Sequence, residues 1–100
     1  MKMSDFTKIQ KVLGAGLVSE DGFIIEGQAK FEYDMDKLGA IAARVASRIK
    51  KSLNLDRASA IIYTQDNVLF LKDSAEGILF VICQKDANVG LVKIRLNKIP

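Results

Sequence analysis

Few side chains in this chain of 100 residues are equipped for bond-making chemistry. There is no histidine, which excludes histidine-based triads and histidine metal sites. Cys83, the one cysteine, lies in an apolar run. Alone it can form neither an internal disulfide nor a thiolate-rich metal site, and it reads as a buried small hydrophobe. The acids Glu20 and Asp21 flank an Asp-Gly turn, and Asp34 and Asp36 sit where helix capping accounts for them. No pair of carboxylates can be placed face to face for acid–base work. Gly14-Ala15-Gly16 precedes an extended run instead of opening a helix after one, and no Lys-Ser or Lys-Thr pair follows. It reads as a helix stop and not as a phosphate loop. What remains is a row of cations. Arg44, Arg48 and Lys51 recur at i, i+4 and i+7, with Lys37 earlier on the same helix. A solvated face with cations near the helix carboxyl end explains the row. It also suits docking of an acidic partner, where charge speeds association more than it tightens it.

The bulk numbers place these residues on one folded unit, residues 1–100. Apolar residues make up 49%, enough for a core, and the charged share of 27% is ordinary, so wholesale disorder is excluded. The net charge of +3 leaves nucleic-acid binding open in principle. The aromatic and basic residues do not interleave as a single-strand binder requires, which disfavours it. No signal-peptide core follows Met1-Lys2-Met3-Ser4-Asp5, and nothing approaches the roughly 18 unbroken apolar residues of a membrane helix. The single buried-type cysteine fits a reducing cytoplasm.

The elements that must carry the row read as follows. Ser4 caps a short helix whose apolar face is Phe6, Ile9, Val12 and Leu13, and Gly14 and Gly16 end it. Leu17-Val18-Ser19 is extended. Asp21-Gly22 makes a tight hairpin turn into Phe23-Ile24-Ile25, with Gly27 at the strand end or a bulge. A long helix spans Asp36 to Leu55, capped by Asp34 or Asp36 and stopped by Asn54. Three strands follow: Ala58 to Thr64, Val68 to Leu71 and Ile78 to Cys83. Their short connections require antiparallel neighbours. The last two are continuous apolar runs, so both sheet faces are covered, one by the long helix and the other by the terminal helices. The final segment fits a helix through Val89, Val92, Leu96 and Ile99, or an alternating strand from Val92 to Asn97. Asn88 as a cap favours the helix.

The long helix carries two stripes. Leu38, Ile41, Ala42, Val45, Ile49 and Leu53 form one, expected to cover the sheet. Gly39, Ala43 and Ala46, with Ser47 beside them, form a second with almost no side chain. Gly39 costs a helix up to ~1 kcal/mol relative to alanine, a cost explained if a neighbouring backbone needs the space. The small stripe is therefore expected at a dimer seam. Ala58, Ser59 and Ala60 open the next strand with small side chains, and no lysine or proline blunts it before Ile61-Ile62-Tyr63. Such an edge needs pairing, and a second copy would supply it.

Gly14-Ala15-Gly16-Leu17-Val18-Ser19-Glu20-Asp21-Gly22-Phe23-Ile24-Ile25, Leu38-Gly39-Ala40-Ile41-Ala42-Ala43 and Ala87-Asn88-Val89-Gly90-Leu91 occur in an order and spacing that resembles the Roadblock family of dynein light chains and bacterial and archaeal GTPase regulators. The resemblance implies an α/β (α+β) fold in the order α-β-β-α-β-β-β-α, with a five-stranded antiparallel sheet between a long central helix and short terminal helices. It implies a homodimer with long helices side by side and third strands paired. Gly39, Ala43, Ala46, Ser47, Ala58, Ala60 and Ile62 are then the expected interface, and Lys37, Arg44, Arg48 and Lys51 the docking strip. It implies no cofactor and no chemistry of its own, and a small Ras-like GTPase as partner. Two departures are expected: the last helix is short, without the C-terminal extensions of longer regulators, and the helix edge is unusually basic. A scaffold or light chain without effect on a GTPase, and a small-ligand sensor, are the other classes the pattern admits. The continuous large apolar side chains argue for a filled core and against a ligand pocket.

Overall fold

The computed structural model describes residues 2–30 and 34–100. The elements are α1 (Ser4–Thr7), β1 (Val12–Val18), β2 (Ile24–Ala29), α2 (Met35–Leu53), β3 (Ser59–Tyr63), β4 (Asn67–Ser74), β5 (Gly77–Gln84) and α3 (Val89–Asn97). All five strands form one antiparallel sheet in the order β2-β1-β5-β4-β3. The expected α+β class and element order hold.

The opening of the chain departs from expectation. Helix α1 is a single turn that Met3, not Ser4, precedes, with no side-chain cap. Lys11 takes φ 69°, which ends any helical continuation. Val12, Leu13, Gly14 and Gly16 are then strand residues in β1, between β2 and β5. Every residue of β1 is buried. A strand covered on both faces loses its alternation, which is why Val12 and Leu13 pass for part of a helical face. The Asp21-Gly22 hairpin forms as expected. Gly22 has φ 93°, and Ser19 accepts the Gly22 N–H at 2.9 Å while donating its own N–H to Phe23 at 2.9 Å. Gly27 does not end the returning strand, which runs on to Ala29. The irregularity lies earlier: Leu17 faces Glu26 while Val18 faces Ile24, so Ile25 is the extra residue.

Helix α2 is bounded as its ends dictate. The Asp34 carboxylate accepts the Lys37 N–H at 3.0 Å, and Asn54 closes the helix in the left-handed region at φ 55°. The last segment is the helix α3, because Asn88 caps it by accepting the Leu91 N–H at 3.0 Å. Lys72 of β4 donates to the carbonyls of Leu96 and Ile99 at 2.6 and 2.5 Å, placing a cation at the carboxyl end of α3.

The sheet separates two cores. On one side Met3, Phe6, Val92 and Leu96 of the terminal segments cover Val12, Val68, Phe70 and Val81. On the other, α2 covers Leu13, Val18, Leu69, Leu71, Phe80 and Ile82.

Candidate functional site

Contrary to expectation the small stripe of α2 faces the sheet, together with Ala42 of the large stripe. Gly39, Ala42, Ala43 and Ala46 are its buried residues and belong to the core against the sheet. Volume decides this. The sheet face under α2 already carries Phe80, Leu69, Leu71, Ile82 and Val18, so native packing density requires small residues on the helix. A side chain at Gly39 would start 2.6 Å from Ile24 Cδ1 and 3.3 Å from Val18 Cγ2. The neighbour that needs the space is this chain's own sheet. Gly39, Ala43 and Ala46, expected at a seam between copies, are thus buried within the chain.

The large stripe takes the flank. Leu38 and Val45 pack against the margin of this core, as do Ala60 and Ile62 of β3. Ile49 is half-buried, Ile41 is 40% exposed and Leu53 is 65% exposed. The cause lies in the sheet. Helix α2 packs over β1, β5, β2 and β4, which leaves β3 beyond its cover. Five strands at about 4.8 Å spacing are wider than a helix of roughly 10 Å diameter. The inner face of β3 and the adjoining flank of α2 thus form a step with half-covered apolar side chains on both sides.

The two sheet edges differ in protection. β2 carries the extra residue Ile25 in its pairing with β1, and exposed Glu26 and Gln28. β3 pairs with β4 in unbroken register from Ser59 to Tyr63 and, among the described residues, has no partner on its outer side. Ile61 is 36% and Tyr63 66% exposed. Among the expected interface residues, Ala58, Ala60 and Ile62 stand on or beside this open edge. Ser47 does not: it lies on the opposite flank of α2, facing the β1–β2 hairpin. Sequence reasoning missed Ile41, Val45 and Ile49 as candidates for that surface. The signal was available in the bulky residues of β4 and β5, which leave no room for a second large layer.

The docking residues fall where expected in one respect: Lys37, Arg44, Arg48 and Lys51 are all exposed. Their surroundings were not foreseen. Arg44, Arg48 and Lys51 form one wall of a groove of about 380 Å³, and Glu20, Asp21 and Gly22 of the hairpin form the other. Ala40, Ala43 and Ser47 line it between them. The basic ridge therefore borders an acidic wall, with the 73% exposed Phe23 next along the hairpin. Lys37 lies outside this groove.

Two perturbed groups stand elsewhere. Burial pushes the Cys83 thiol up to about 11, partly offset by the positive charge of Lys30. The hydrogen bond from Lys11 holds the exposed Asp86 carboxyl below its usual value. Cys83 is fully enclosed, so it offers no accessible thiolate. Among the described residues, no helix is long and apolar enough to cross a membrane.

No model of a known protein family matches the chain. The uncharacterized protein MJ0714 of Methanocaldococcus jannaschii is 26% identical over 98 residues, covering 94% of this chain and 83% of that protein. A Roadblock/LC7 domain from Streptomyces avermitilis superposes with a TM-score of 0.83 at 16% identity, over 96% of this chain and 86% of that one. The gliding protein MglB of Thermus thermophilus matches with a TM-score of 0.82 at 16% identity, over 96% of this chain and 78% of its own. MglB is also known in a tetrameric arrangement. Superposition over 96% of the chain on solved structures of that name identifies the architecture: this chain has the Roadblock/LC7 fold.

Proposed function

We propose that the chain is a homodimeric, non-enzymatic binding module of the cytoplasm that docks on a small Ras-like GTPase and modulates its nucleotide cycle. The observation that carries the self-association is the mismatch in width between sheet and helix. It leaves Ile41, Val45 and Ile49 beside an unpaired β3 whose Ala60 and Ile62 are half-covered. A second copy related by a two-fold axis pairs β3 with β3 and lays its own α2 into the step. That removes an open edge and apolar surface in one operation. The resemblance to the Roadblock family and the fold shared with MglB support the same reading. The dimer then presents two basic ridges, from Lys37, Arg44, Arg48 and Lys51, on one platform. No metal or cofactor is required, and the chain acts by presenting surface.

Light scattering coupled to gel filtration at micromolar concentration tests the first half: the expected mass is twice that of the chain, and a clean monomer overturns the dimer. The second half is tested by mixing the chain with the Ras-like GTPase encoded nearest to it, loaded with GDP and then with a GTP analogue. Co-elution with preference for one nucleotide state is expected. Co-elution without preference favours a scaffold role instead.

A further inference from the structure

The step between α2 and β3 functions as one surface only if its two halves are held in register, and one side chain touches the machinery of both. Asp73, near the end of β4, is only 9% exposed. One carboxylate oxygen accepts the ammonium of Lys50, on the last turn of α2, at 3.0 Å. The other accepts the Ala58 N–H at 3.0 Å, just ahead of β3. The Asp73 N–H in turn donates to the Ala58 carbonyl at 3.0 Å. Lys50 is itself only 16% exposed, and its second carboxylate, Glu20 on the hairpin, stands 3.8 Å away and is 83% exposed. The strong contact thus runs from helix to edge strand, and the weak one to the hairpin.

We infer that Asp73 is a positioning residue for self-association, clamping the carboxyl end of α2 to the start of β3 so that both halves of the interface are presented in one fixed geometry. The inference rests on the proposed dimer. The chain between Leu53 and Ser59 contains no regular element, and β3 is bonded along only one side. Its start would otherwise be the least constrained part of the surface. A charge pair this enclosed is little screened by salt. Loss of one partner leaves the other uncompensated, which is costlier than never having had the pair. In the absence of the Asp73 charge, Lys50 has Glu20 as its remaining carboxylate, and the helix end becomes tied to the hairpin instead of the edge.

The test uses the whole chain, Asp73→Asn and Lys50→Met. Sedimentation over a concentration series gives the dimer dissociation constant. Hydrogen exchange compares the amides from residue 58 to 63 with those of β1 and β5, and urea unfolding verifies the fold. Asp73→Asn is expected to raise the dissociation constant at least about tenfold and to speed exchange at 58–63 selectively, as loss of one partner of an enclosed pair predicts. Lys50→Met leaves the Ala58 bond in place and is expected to weaken the dimer less, by about threefold or more. It carries the test if Asp73→Asn does not fold. A dimeric wild type whose constant is unchanged in the folded variant overturns the clamp alone, as does exchange that quickens equally in all strands. A monomeric wild type overturns the dimer reading and the inference with it.

Discussion

Gly16 lies where β1 passes directly beside the ring of Phe80: a Cβ there would stand 2.5 Å from Cζ and 2.6 Å from Cε1. Phe80 is fully buried and cannot retreat. Gly16→Ala is therefore expected to cost about 1–3 kcal/mol, read as a lower urea midpoint at unchanged slope. Gly39 differs in a way that spacing alone does not reveal. Its nearest obstacle, Ile24 Cδ1, is the far end of a half-buried side chain that can turn away. The helix also gains up to ~1 kcal/mol from alanine, so Gly39→Ala should leave stability within about 1 kcal/mol of wild type. Gly39→Leu should be far worse, because overpacking this contact moves the helix off the sheet. Cys83 supplies a prediction with a definite sign. Its thiol ionises at about 11 in the folded chain against 9.0 for a free thiol, so folding favours the neutral form. Stability intact below pH 9 should fall as pH rises towards 11, and more steeply than in Cys83→Ala. Alkylation at pH 8 should be slow in the native chain and rapid in denaturant.

At the scale of elements, the helices and strands were largely legible. Asp34, Asn54 and Asn88 are side chains whose capping and stopping roles are local, and they bound α2 and α3 as local rules require. The Asp21-Gly22 turn is likewise a property of its own dipeptide. The misreadings lie where a neighbouring element decides. Val12 and Leu13 belong to a strand because β2 and β5 bracket them. The small stripe of α2 turns inward because β4 and β5 carry the bulk. This has a direct consequence for the proposed interface. Val45→Glu should convert the dimer to a monomer that still unfolds cooperatively, since Val45 lies at the margin of the core. Ser47→Glu, on the other flank, should leave the dimer intact. Equal disruption by both, read by sedimentation, would contradict the placement of the seam beside β3.

Taken as a whole molecule, the chain has two surfaces of different character on opposite flanks of one helix. The β3 side is apolar and open-edged, and the hairpin side is charged on both walls. Under the proposed function this arrangement separates self-association from partner docking. Arg44→Glu with Arg48→Glu should weaken GTPase binding about tenfold or more at low salt and leave the dimer mass unchanged. The acidic wall sharpens the expectation. If the partner were acidic throughout, Glu20→Lys with Asp21→Lys would strengthen binding, whereas a partner of mixed charge would lose affinity with either double variant. Comparing the two at two salt concentrations distinguishes them.

The amino-acid sequence by itself determined most of the elements: the caps and stops at Asp34, Asn54 and Asn88 and the Asp21-Gly22 turn all act locally. The resemblance of three ordered stretches pointed to a fold that the structure bears out. Which face of the long helix looks inward was not decided at that level, because helical spacing defines stripes without ranking them. Ranking them takes the volumes of side chains that arrive from strands distant in the chain. The same holds for the site. Arg44, Arg48 and Lys51 were visible as a row, but the acidic wall opposite them exists only because the hairpin folds against α2. The openness of β3 exists only because a five-stranded sheet is wider than the single helix that covers it.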